Sequence, residues 1–180
     1  MKKAVTPVSG AALIARLDSY GVPRDYAHSH GLRRVREPQQ LMGIGTDIHD
    51  REQFLARAAA RAWQRMQSAA AQDGVELQVV SAFRSVEYQC GIIERKLAAG
   101  QQIEHILSVS AAPGYSEHHS GRALDITCPG YPALEEEFEN SRAYAWLKNN
   151  AGRFRFALSY PRGNRHGIAY EPWHWCWHRA

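Results

Sequence analysis

Between residues 51 and 73, apolar side chains recur at helical spacing. Leu55, Ala59, Ala62, Trp63, Met66 and Ala70 share one stripe, while Arg57, Arg61, Gln64 and Ser68 lie opposite. This pattern predicts a helix with Asp50 as N-cap, Gln53 in the reciprocal capping position and Gly74 as its stop. Val75, Leu77 and Val79 then alternate with Glu76 and Gln78, which predicts a strand entering Ser81-Ala82-Phe83-Arg84. Ser85 can cap a second helix that carries Ile92, Ile93 and Leu97 and stops at Gly100. A loop over 111–121 feeds a strand over 122–127, and Ser141 opens a third helix with Tyr144, Trp146 and Leu147 that ends near Gly152. Two final strands, 154–160 and 168–177, are joined by Pro161-Arg162-Gly163-Asn164. Residues 1–45 show only weak periodicity and predict an irregular arm, with at most one short helix, packed on a domain over 46–180. Helices followed by interleaved strands and helices predict an α+β fold, its small, mostly antiparallel sheet flanked by helices.

Composition narrows the class. At roughly 150 residues per domain, 180 residues make one domain. Hydrophobic and charged shares of 44% and 22% exclude disorder for most of the chain. No apolar run approaches the ~20 residues of a membrane-spanning helix. The net charge of +4 comes largely from arginines, which are scattered along the sequence without a nucleic-acid motif, so a solvated basic surface is expected. Three cysteines, Cys90, Cys128 and Cys176, are too few and too widely spaced for a disulfide framework, and read as buried free thiols of a reducing compartment. Met1-Lys2-Lys3 is like the start of an export signal, but the apolar stretch at 11–15 is short and broken by Arg16 and Asp18. The expected location is the cytoplasm; the periplasm or cell envelope is the alternative if an export signal belongs to a longer precursor.

Two clusters hold the candidate chemistry. The loop Ser116-Glu117-His118-His119-Ser120-Gly121 runs into Arg122-Ala123-Leu124-Asp125, where strand alternation puts Ala123, Asp125 and Thr127 on one face. Gly121 lets the loop fold back over the strand. A carboxylate flanked by Leu124 and Ile126 is costly unless its charge is satisfied, and a bound cation would satisfy it. In Tyr170-Glu171-Pro172-Trp173-His174-Trp175-Cys176-Trp177, Pro172 removes a ladder donor, so regular pairing should start after it and leave Glu171 on a turn near His174. Two imidazoles and one carboxylate are a usual ligand set for catalytic zinc, with a separate Glu as general base. His-Glu-x-x-His is absent, which excludes the helical zinc-protease pattern. On spacing alone a blander reading stays open: a His-rich surface loop and a hydrogen-bonded core histidine at 174.

Ser116-x-His118-x-x-Gly121-x-Ala123-x-Asp125, with Glu171-Pro172-Trp173-His174 beginning 46 residues after Asp125, resembles the VanY-type zinc D-alanyl-D-alanine carboxypeptidases. It is also similar to their relatives, the D-Ala-D-Ala dipeptidases and the cell-wall L,D-carboxypeptidases and endopeptidases. Ser81-Ala82-Phe83-Arg84-Ser85 with Gln89 looks like that family's Ser-Gly-Tyr-Arg-Ser…Gln segment, and Trp146-Leu147…Asn150-Ala151 and Tyr160-Pro161-Arg162-Gly163 follow in the family's order. The likeness covers roughly residues 50–177. It implies Zn²⁺ held by His118, Asp125 and His174, Glu171 as catalytic base, and Arg84 as the cation that steadies an oxyanion or a substrate carboxylate. Ser116 and Gln89 match substrate-contacting positions. His119, Cys176 and His178 fall outside the ligand pattern. Ala82 and Phe83 depart from Gly and Tyr, and the Trp-Cys-Trp-His ending departs as well. The implied activity is hydrolysis of a terminal D-Ala from peptidoglycan stem peptides or muropeptides, L,D or D,D, by a monomer that takes a peptidoglycan-derived peptide, with neither nucleic acid nor a membrane span involved. The alternatives are a D-Ala-D-Ala dipeptidase, an endopeptidase, or a non-enzymatic, zinc-stabilised binding domain.

Overall fold

The computed structural model describes residues 2–4 and 9–179, and its first elements are ones that the weak periodicity conceals. Strand β1 (Lys2–Ala4) is followed by helices α1 (Gly10–Tyr20) and α2 (Tyr26–Ser29) and then by strand β2 (Gln40–Thr46). β2 pairs antiparallel with β1 on one side and with β3 (Glu52–Leu55) on the other. Among the described residues, the segment before 46 is therefore not an irregular arm, and a division at 45/46 would cut β2. Met1, residues 5–8 and Ala180 lie outside the described residues. Ser9 caps α1 by accepting from the N–H of Ala12, and Gly21, at φ +78°, closes it. The stripe of α1 is narrow, Leu13, Leu17 and Tyr20, and it is buried only because Ile93 and Ile106 from far along the chain complete that cluster. Local pattern does not carry such a long-range partner.

The long amphipathic helix is α3 (Arg57–Gln72), which starts later than expected, with Ala56 at its N-cap. Residues 52–55 are taken by β3, and Asp50 sits at φ +59° in the β2–β3 turn. The Asp47 carboxylate makes that turn, accepting from the backbone N–H groups of His49 at 2.8 Å and Arg51 at 3.1 Å. Sheet pairing and this turn outcompete the capping box. The end of α3 is as expected: Gly74 follows it at φ +68°.

The second sheet carries the chemistry. β4 (Gln78–Ser81), β5 (Ala123–Thr127), β6 (Phe156–Leu158) and β7 (His174–Trp177) lie in the order β4-β5-β7-β6, every pair antiparallel. All five residues of β5 are buried. Leu124 and Ile126 enter a core with Trp63 and Met66 of α3, while Asp125 lies opposite His174 on β7 and Ser81 on β4. Ser85 caps α4 (Val86–Ala98) and Ser141 caps α6 (Arg142–Asn150), both as predicted. Helix α5 (Ile103–Ser108) was not expected, and residues 168–173 form no strand, because β7 begins only after Pro172. The fold is α+β, with small antiparallel sheets flanked by helices.

Candidate metal centre and active-site cleft

His118 stands on one 3-10 turn, residues 117–120, whose start is capped by the Ser116 hydroxyl accepting from the His118 N–H at 3.4 Å. Gly121 ends the turn at φ +64°. A Cβ there would come within 2.9 Å of the Ala56 nitrogen, so both conformation and space call for glycine. The turn lays His118 over β5. Ligand atoms of His118, Asp125 and His174, all buried, then lie within 4.8 Å of one another.

Each imidazole uses its outer nitrogen to fix the inner one. Nδ1 of His118 is 2.5 Å from the Ala82 carbonyl oxygen, and Nε2 of His174 is 3.0 Å from Oε2 of Glu117, which also accepts from the Ser159 hydroxyl at 2.6 Å. Nδ1 of His174 and Nε2 of His118 face Asp125, at 3.0 Å from Oδ1 and 3.2 Å from Oδ2. Nε2 of His118 is buried and makes no hydrogen bond. Burial holds His118 neutral, its pKa down to about 4, so that this nitrogen presents a lone pair. Burial would also depress His174, but hydrogen bonds to Asp125 and Glu117 outweigh it and push the imidazole up to about 10. Burial opposes the charge on Asp125, yet the His174 imidazole, charged and 3.0 Å away, outweighs it and holds the carboxyl well below the usual carboxylate range. An unsatisfied buried lone pair, an ionised carboxylate and a second imidazole whose inner proton a metal would displace, each imidazole braced from behind, fit a divalent cation with nitrogen and oxygen ligands.

The Ala82 carbonyl is itself held from a distance. The N–H of Ala82 donates to Oε1 of Gln53 at 3.0 Å, and the Gln53 amide donates to Oδ2 of Asp47 at 2.7 Å. Gln53 therefore does not cap α3; it ties the β2–β3 turn to the residue that orients His118.

A cleft of about 260 Å³ opens beside the three residues. Glu171 lies on its wall, Oε2 at 3.7 Å from Nδ1 of His174, on the turn that Pro172 enforces. Burial raises the Glu171 carboxyl to about 7. Arg84 reaches in from β4's exit with Nη2 at 3.7 Å from Oδ2 of Asp125, and its Nε is buried without a partner. Ser116 lines the cleft as expected. Gln89 does not: its amide donates to Ser110 Oγ at 2.9 Å and to the Ala111 carbonyl at 3.0 Å, bracing that wall from behind. His119 is occupied at both nitrogens, by the Arg84 carbonyl and the Gly114 N–H, and Cys176 is a buried free thiol.

The profile of the VanY family, D-alanyl-D-alanine carboxypeptidase, matches residues 52–180. The chain belongs to this family. A curated relative, the putative carboxypeptidase YodJ of Bacillus subtilis (strain 168), is 34% identical over 128 residues, 68% of this chain and 46% of YodJ. The chain thus spans about half the length of that relative. Among solved VanY-like structures, the LdcB LD-carboxypeptidase superposes with a TM-score of 0.70 at 30% identity, covering 78% of this chain and 69% of that one. A mutant D,D-pentapeptidase VanY from a VanB-type resistance cassette, solved with Zn(II), gives 0.60 at 28% identity, covering 76% and 77%.

Sequence reasoning missed three residues that the VanY fold brings to this site. Glu117, inside the quoted loop motif, binds His174 from behind; only the pairing of β5 with β7 places it there. Lys96 of α4 lines the cleft, its ammonium pKa lowered by burial and then by Arg84. Tyr160 packs its ring 4.8 Å from that of His174.

Proposed function

We propose that this chain is a zinc-dependent metallopeptidase that removes the terminal D-Ala from peptidoglycan stem peptides or muropeptides. The observation that carries this reading is the buried His118–Asp125–His174 cluster with the Glu171 carboxyl beside it. Bound there, zinc would supply Lewis acidity toward the scissile carbonyl and bring the pKa of a coordinated water near 7. Glu171 takes the proton of the attacking water and hands it to the leaving amine; a carboxyl whose pKa lies at about 7 suits both steps near neutrality. The Arg84 guanidinium, with a free donor, steadies the developing oxyanion or the peptide's terminal carboxylate. The cleft, at about 260 Å³, is below the ~300–1,000 Å³ of pockets for drug-sized ligands, which suits the end of a peptide more than its middle.

Among the possible bonds we favour that of a tetrapeptide, an L,D cleavage, with D,D cleavage of a pentapeptide as the other outcome. The higher superposition on the LdcB LD-carboxypeptidase supports this choice. The three buried free thiols support a reducing, cytoplasmic setting, and because one chain supplies every residue of the cluster, a monomer would suffice for activity.

Tetra- and pentapeptide muropeptides are incubated with the protein, with and without a chelator, and the products weighed. Loss of one alanine from the tetrapeptide, abolished by chelator and restored by zinc, is expected. Glu171→Ala should keep zinc and lose about 10²–10⁴-fold in turnover, whereas His118→Ala should lose the metal. Normal turnover in the first variant or full zinc occupancy in the second refutes the assignment.

A further inference from the structure

The arginines that look scattered along the sequence are gathered by the fold. A cleft of about 720 Å³, separate from the active-site cleft, is lined by seven of them. Arg33, Arg34 and Arg36 come from the segment between α2 and β2, and Arg57 and Arg61 from the first turns of α3. Arg122 precedes β5 and Arg179 follows β7. No Asp or Glu lines this cleft. The arginine ion pairs among the described residues engage Arg16, Arg24, Arg51, Arg84 and Arg162, none of the seven. Seven guanidinium groups from four places line one cleft with no acidic residue among them, so a polyanion would meet positive potential on every side. The N-terminus of the 16-residue α3 borders the same cleft with Ala56 at its cap and no side-chain cap, adding backbone donors and positive dipole.

The chemistry selects among anions. Arginine's planar fork matches the oxygens of phosphate in pairs, and every cation of this cleft is an arginine. The one aromatic residue in the lining, Trp177, is only 8% exposed and offers no face for a base to stack on. We propose that the cleft is a second binding site that takes the phosphate groups of a linear, base-free polyanion.

The test measures anisotropy of a short fluorescent inorganic polyphosphate over a salt series, with single-stranded DNA and polyglutamate of matched charge as the other probes. Wild-type protein should bind polyphosphate saturably and most tightly of the three. With roughly four phosphates neutralised at about 0.7 released ions each, a fourfold rise in salt should weaken binding about fifty-fold. The variant R33Q/R36Q/R57Q should lower the salt slope by about 2, whereas R24Q/K148Q/R153Q, which loses the same charge elsewhere, should not. All five arginines and Lys148 are exposed, so both variants should melt and hydrolyse muropeptides as wild type does. Polyphosphate should also raise the melting temperature of wild type at low salt. Equal weakening in both variants, tighter binding of DNA, equal binding of polyglutamate, or no saturable binding and no thermal shift at low salt would each overturn the proposal.

Discussion

Gln53→Leu removes the link between the β2–β3 turn and His118, a candidate metal ligand. Its amide donates to the buried Asp47 carboxylate at 2.7 Å, and its carbonyl accepts from the N–H of Ala82, a residue with 0% exposure. A hydrogen bond to a charged group contributes about 1.5–3 kcal/mol, and an orphaned buried donor costs about 1–3 kcal/mol, so the loss should total about 3–5 kcal/mol. That is a large part of the ~5–15 kcal/mol that holds an ordinary domain folded. The carbonyl of the same Ala82 fixes Nδ1 of His118, so freeing the N–H side should also loosen the ligand. Removing a residue that orients a metal ligand typically weakens the metal about 10–100-fold. Denaturant unfolding measures the first effect, and zinc competition against a chelator, under conditions where the variant is folded, measures the second. Wild-type stability together with wild-type zinc affinity would refute the connection from the turn to the metal site.

Asp47→Asn should destabilise the protein at neutral pH and flatten its acid limb. Burial works against the Asp47 charge, but the N–H groups of Arg51 and His49 and the Arg51 guanidinium lower its pKa below the ordinary value. Its contribution is therefore full above the unfolded value, about 3.9, and is lost as pH falls through the lower folded one. The gap between wild type and variant in unfolding experiments should close over that window; a gap that persists below it counts against the reasoning. Glu117→Ala should lower zinc affinity by about 10–100-fold while leaving Glu171 in place, and unchanged affinity would show that His174 needs no support from behind. Gly121→Ala should destabilise by more than about 1 kcal/mol, because the left-handed backbone and the contact with Ala56 oppose a methyl group together; an unchanged melting temperature would speak against both.

The two segments that form the candidate site were legible where local chemistry leaves a mark, whereas the roles given to His118, Asp125, His174 and Glu171 came from the family resemblance. Asp125 is a charge inside an apolar strand, and Pro172 announces where β7 can begin. The caps of α4 and α6 were legible for the same reason, each fixed by a serine within its own turn. What stayed hidden depends on distant partners. The stripe of α1 acquires meaning only against Ile93 and Ile106. Gln53 looked like a capping residue because its true partners, Asp47 and Ala82, lie on either side of it and far apart in sequence. Gln89 carries the family's residue type but spends its amide on residues 110 and 111. The arginine cleft is hidden for the same reason, since four separate segments contribute to it.

Two of the three candidate ligands are facing partners on neighbouring strands, Asp125 on β5 and His174 on β7. Sliding β7 by one position would set an indole, Trp173 or Trp175, against that carboxylate and turn the imidazole to the other side of the sheet. On the proposed function, peptide cleavage would therefore report strand alignment: a refolded or heat-treated sample that cleaves has threaded this edge correctly, and misthreaded molecules would be silent.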